Sequence, residues 1–162
     1  MATSDHHGQF VYAVTSAAPP CPTGDGDQWH AGIAVALKDR QRRPLLKCSY
    51  AVPVQTQEAA SYEAIAVALR EARNLDAGSI AVYADDARVV GQINREAEAK
   101  AENAGRYLEV RSLLNQFAWA RVRVADPAQC YGLRASAERA VRGLPTTESY
   151  DVPPQLAFRF GE

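Results

Sequence analysis

Apolar positions recur at about every second residue near the start of the chain, and at every third or fourth residue from about position 61. A period of two marks strands and a period near 3.6 marks helices, so strands are expected first and helices later. Residues 9–14, short and rich in Phe, Val and Tyr, predict a strand. Residues 15–28 carry Pro19, Pro20, Pro22, Gly24 and Gly26 and predict an irregular loop. Residues 31–37 and 45–52 predict two more strands, and the short polar link 38–44 joins them as an antiparallel hairpin.

Tyr62, Ile65, Leu69 and Ala72 then repeat at helical spacing across residues 61–74. Asp86, Val90, Ile93 and Ala97 do so across 85–99, and Tyr107, Val110, Leu114 and Phe117 do so again. A strand is expected at 79–84. Another is expected at 118–124, where Ala118, Ala120, Val122 and Val124 alternate with Trp119, Arg121 and Arg123. Residues 131–142 predict a last helix, stopped at Gly143. The order is β β β α β α α β α, an α/β domain with a mixed five-stranded sheet, its first three strands antiparallel, flanked by helices. The expected organisation is a disordered start at 1–8, one domain at 9–143 and a Pro- and aromatic-rich tail at 144–162, whose 156–160 stretch packs on the body or meets a partner.

Composition narrows the class. A chain of 162 residues with 47% hydrophobic and 23% charged residues reads as one ordinary soluble domain. No apolar run approaches the ~20 residues that span a bilayer, and residues 1–7 lack the basic start and apolar stretch of a secretion signal. Cys21, Cys48 and Cys130 are widely spaced and odd in number, which predicts free thiols, a cytoplasmic location and no zinc site. The net charge of −1 means that any nucleic-acid contact rests on local basic patches.

Three segments resemble type 1 ribonuclease H, in the ribonuclease H-like superfamily. Residues 61–69 (SYEAIAVAL) look like its first helix, 83–92 (YADDARVVGQ) like its fourth strand entering its second helix, and 121–131 (RVRVADPAQCY) like its last strand and the loop that follows. The resemblance covers residues 9–142. It implies the corresponding fold, and cleavage of the RNA strand of an RNA–DNA hybrid by two Mg²⁺ or Mn²⁺ ions held on four carboxylates. Carried over position by position, the four acids fall on Val14, Ser61, Asp85 and Leu133, so Asp85 alone is retained. The family's glycine-rich turn is replaced by Ala17-Ala-Pro-Pro20. Glu63 is the best substitute ligand beside Asp85, although two residues along a helix rotate a side chain by ~200° from position 61. Asp25, Asp27, Asp126 and Glu138 are the other acids that could substitute.

Asp85 and Asp86 also read as the acidic start of the second helix. Thr56 corresponds to the family's phosphate-holding threonine or is a turn residue, and Glu58, next to Gln57, is expected to repel phosphate. Arg40, Arg42 and Arg43, with Lys38 and Lys47, form the strongest basic cluster. Trp119, Arg121 and Arg123 form a stripe suited to stacking bases or covering a protein partner. The region 95–106 lacks the basic, tryptophan-rich handle of some family enzymes. Three readings follow: a degenerate domain that binds nucleic acid or protein; an active, metal-dependent hybrid ribonuclease built on Asp85 and Glu63; or a protein-binding or homodimerising module.

Overall fold

The structure, a computed structural model, describes residues 8–22, 26, 28–143 and the backbone of 146–149. Its elements run β1 (Gln9–Ala17), β2 (Cys21–Pro22), β3 (Trp29–Lys38), β4 (Pro44–Val52), α1 (Gln57–Asn74), β5 (Ala77–Ala84), α2 (Ala87–Ile93), a 3-10 turn at Ala101–Asn103, α3 (Ala104–Leu114), β6 (Trp119–Val124), α4 (Pro127–Val141) and β7 (Thr146–Ser149). The sheet order is β6-β5-β1-β3-β4-β7, with β2 paired to β3. β3 is antiparallel to β1 and β4, whereas β5 runs parallel to β1 and β6.

The mixed sheet and the β3–β4 hairpin are as expected, with two strands more than the sequence pattern indicated. β2 is a two-residue pairing within the Pro-rich loop, and β7, from the expected tail, adds to β4. Residues 156–160 and 1–7 lie outside the described residues, as do Asp25 and Asp27. β1 continues three residues past Val14 because Thr15 still pairs with both Val35 and Ala84, which satisfies its backbone on two sides.

Helix limits follow local chemistry. α1 begins four residues before position 61, where the Thr56 hydroxyl accepts from Ala59 N at 3.1 Å. α4 also begins four residues early, behind Pro127 and a reciprocal cap between Asp126 and Gln129. The second helix falls short instead: it ends at Ile93, and Arg95 has φ +62°. Asn94 donates its side-chain amide to Val122 O at 2.9 Å, so the chain leaves the helix to meet β6. Ala97 therefore lies beyond the helix, as does Phe117, which still packs in the core.

α1, α2 and α3 bury one sheet face around Ile33, Leu37, Ile65, Leu69, Ile80 and Ile93. The Tyr62 hydroxyl donates to Gln92 Oε1 at 2.5 Å, joining α1 to α2 inside that core, and burial foremost raises its pKa to about 12. α4 lies on the opposite face over β1, β3 and β4, where Leu133 and Ala137 meet Ala18 and Ala34. A Cβ on Gly32 would sit 1.7 Å from Ala137 O, so only glycine allows α4 this close to β3. These two packings hold the carboxyl ends of β1 and β5 beside α4.

Candidate functional site at the carboxyl ends of β1 and β5

Ligand sites in α/β sheets favour the carboxyl ends of parallel strands. Asp85 is the first residue past β5, and Thr15 pairs with Ala84, so the next rung sets Ser16 beside Asp85. Ser16 Oγ donates to Asp85 Oδ2 at 2.7 Å. Arg134, from α4, donates to the same oxygen through a guanidinium nitrogen at 3.3 Å. The residue facing Asp85 from the first strand is thus Ser16, two positions beyond Val14. Val14 pairs with Tyr83 two rungs earlier and packs under α4.

The neighbouring acid has a structural task. Asp86 caps α2, accepting from Arg88 N at 3.0 Å and Val89 N at 3.3 Å, while its other oxygen accepts from Ser61 Oγ at 3.3 Å. Ser61 thus lies beside the start of α2, bonded to Asp86 rather than to Asp85. Leu133 is buried against Ala18 and Ala34, and the next residue, Arg134, reaches Asp85 instead. A cleft of about 290 Å³ opens here between Asp85, Ala125, Pro127, Cys130, Tyr131 and Arg134. Burial, followed by the nearby Asp85 charge, pushes the Cys130 thiol up, so it is held as a thiol rather than a nucleophilic thiolate.

The substitute ligands do not assemble around Asp85. Glu63 accepts from Arg70 at 3.2 Å and Arg106 at 2.9 Å, which ties it to the α1–α3 face, the outcome its ~200° rotation from position 61 implies. Asp126 is occupied as the cap of α4, and Glu138 is exposed further along that helix. Among the described residues no group of three or more His, Cys, Asp or Glu side chains could hold a metal ion. Mg²⁺ demands an octahedral shell of oxygens, usually with one or two carboxylates, and a two-metal centre demands more. Here one oxygen of Asp85 already meets a hydroxyl and a guanidinium. The donor set does not fit a two-metal centre.

The remaining predicted residues divide between support and surface. Thr56 is the α1 cap. Glu58, expected to face phosphate, is instead 5% exposed and bonded to Asn103 at 2.8 Å and Lys100 at 3.1 Å. Burial opposes its charge, but the hydrogen bonds from Lys100 and Gln92 and the attraction of Lys100 and Arg88 outweigh that and lower its pKa. Arg43 locks the β3–β4 turn by donating from Nε at 2.7 Å and from its backbone N at 2.8 Å to buried Asp39. Arg42, with φ +67°, lays its guanidinium 4.4 Å over the Tyr12 ring. Arg40 is exposed. Trp119, Arg121 and Arg123 are exposed together on β6, and Arg121 sits 5.3 Å over the Trp119 ring.

A sequence-family profile described as reverse transcriptase-like matches residues 23–129. No curated protein sequence matches the chain. Among solved structures, ribonuclease H1 of the archaeon Halobacterium salinarum superposes with a TM-score of 0.73 at 19% identity, over 83% of this chain and 99% of that one. The N-terminal ribonuclease H domain of a Mycobacterium tuberculosis protein gives 0.73 at 20% identity, over 83% and 95%. A ribonuclease H1 isolated from compost by metagenomics, solved in complex with an RNA/DNA hybrid, gives 0.71 at 15% identity, over 82% and 97%. The fold is that of ribonuclease H. No described helix is long and apolar enough to cross a membrane.

Proposed function

The chain belongs to the reverse transcriptase-like family of ribonuclease H-like domains, and from that premise we propose that it is a non-cleaving member that binds nucleic acid. The observation carrying this reading is the contact of Ser16 and Arg134 with Asp85. A fixed guanidinium supplies the positive charge that a carboxylate cluster draws from metal ions, and it cannot deliver a water nucleophile or a Lewis acid. Support for nucleic acid as the ligand comes from the hybrid held by the compost enzyme and from the exposed cations Arg40, Arg42, Arg121 and Arg123. With a net charge of −1, attraction has to come from such local groups.

The test is incubation of the pure protein with a labelled RNA–DNA hybrid in Mg²⁺ and then Mn²⁺, with Asp85→Asn as control. The expected result is no metal-dependent cleavage, together with nucleic-acid binding that weakens steeply as salt rises. Cleavage that disappears in Asp85→Asn overturns the non-cleaving reading. Salt-independent affinity for a protein or a second copy of the chain, with none for nucleic acid, overturns the ligand assignment.

A further inference from the structure

α4 packs mainly on β3, β1 and β4, so on its side of the sheet β5, β6 and the first half of β1 carry no described helix. The register fixes what this open face presents. Phe10, Ser79 and Trp119 share one rung and Tyr12, Ala81 and Arg121 the next; on the third, Val14 is already covered by α4, and Tyr83 and Arg123 continue the open face. The intervening residues Val11, Ala13, Ile80, Val82 and Val122 point into the core on the other side. The rings lean together over the small Ser79 and Ala81. Phe10 meets Tyr12 edge-on at 4.7 Å and Trp119 at 5.6 Å, and Trp119 stays 42% exposed.

Cations border the rings. Arg121 and Arg42 lie over Trp119 and Tyr12, Arg123 stands beside Tyr83, and exposed Lys38 pairs with Tyr12 across β1 and β3. None of the residues on these three rungs is acidic. Asp85, on the following rung, is already bonded to Arg134.

We infer that this open face binds single-stranded RNA. The inference deepens the proposed function and rests on it, placing the ligand on the sheet face that carries Arg121 and Arg123. Unpaired bases offer flat π faces to Trp119 and Tyr83, which a duplex keeps stacked and out of reach. The phosphates meet Arg121, Arg123 and Arg42, in a spacing set by the strands rather than by a helical groove. Tyr12, Ser79 and Tyr83 share these rungs with the rings and cations, and their hydroxyls are partners for the 2′-hydroxyl that distinguishes RNA from DNA.

Fluorescence anisotropy of the full chain with labelled oligouridine, its deoxy counterpart and an RNA–DNA hybrid tests this. Oligouridine is expected to bind most tightly. Trp119→Ala should weaken it by about 5- to 150-fold, the range for losing one stacked base, and Trp119→Phe should restore most of the affinity. The pair Arg121→Gln and Arg123→Gln should reduce the slope of log affinity against log salt by about 1.4, from ~0.7 per phosphate contact. Should Trp119→Ala melt before the assay temperature, Trp119→Phe and the arginine pair decide the matter. Oligouridine binding unchanged in the arginine pair overturns the site, and deoxyoligomer or hybrid binding of equal strength overturns RNA as the ligand. Hybrid binding that survives every face variant sinks this inference while leaving the proposed function intact; no binding of any probe sinks both.

Discussion

Arg134 and Asp85, 49 residues apart, meet at 3.3 Å where α4 crosses the end of β5, and Ser16 donates to the same carboxylate oxygen. The side chain of Asp85 is 9% exposed and that of Arg134 is 40% exposed. Losing the arginine therefore strands a nearly buried charge. The acid is held in place by the protein's own cation.

A double-mutant cycle on this pair measures the interaction. Arg134→Gln should cost about 1–2 kcal/mol, below the ~3–5 of fully buried pairs because the arginine is partly in water. In an Asp85→Asn background the same change should cost markedly less, with a coupling above ~0.5 kcal/mol. Urea unfolding of the four proteins supplies the numbers, and additive costs would mean that the contact is idle.

Returning carboxylates to the cleft should create metal affinity. In the combined variant Ser16→Asp, Ser61→Glu and Arg134→Asp, Mn²⁺ is expected to raise the melting temperature, whereas the parent should show no such rise. By mass action, a metal at a hundred times its Kd adds about 2.7 kcal/mol to the folded state. A variant that folds but ignores Mn²⁺ would show that positions 16, 61 and 134 do not converge on one point.

Glu58 makes acid stability sensitive to a single group. Its folded pKa lies below the ordinary 4.5, so its contribution is present above that value and is lost as pH falls through the lower folded value. Glu58→Gln should flatten the stability profile below about pH 4.5 and leave the acid-side slope to the other carboxylates. Thermal melting of both proteins across that range provides the comparison, and parallel profiles would rule out the assignment.

Gly32→Ala probes the packing that brings α4 to the sheet. The added methyl would meet the Ala137 carbonyl at 1.7 Å, a backbone atom that cannot rotate aside. The expected cost is about 2–3 kcal/mol, at the upper end for overpacking. Because α4 also carries Arg134, the Arg134–Asp85 coupling should shrink with it. A substitution costing under ~0.5 kcal/mol would show that α4 sits less closely than described.

Much of the fold was readable from residues with a local physical signature. The period-two run at 31–37, its partner at 45–52 and the turn between them specify a hairpin whatever surrounds it, and β3 pairs with β4 accordingly. Asp86 at the head of α2 was legible for the same reason, since a cap needs only the next turn of backbone. The misjudged limits involve distant partners. α2 stops where Asn94 bonds to Val122, and β7 forms on an edge of β4 nearly a hundred residues earlier in the chain, pairings that no local window contains.

The sequence by itself determined the type and order of the main elements and the family likeness, and it supplied the expectation that Asp85 alone stands where the resemblance implies four acids, because these depend on residue identity and short-range periodicity. Tertiary structure alone decided that Ser16 rather than Val14 faces Asp85, that Arg134 reaches the acid while Leu133 turns into the core, that Glu63 and Glu58 bond to cations away from it, and that Phe10 meets both Tyr12 and Trp119 on one sheet face. Each of those depends on strand register or helix rotation. A slip of one residue turns a side chain to the opposite sheet face, and register is set only when the strands pair and α4 closes onto them.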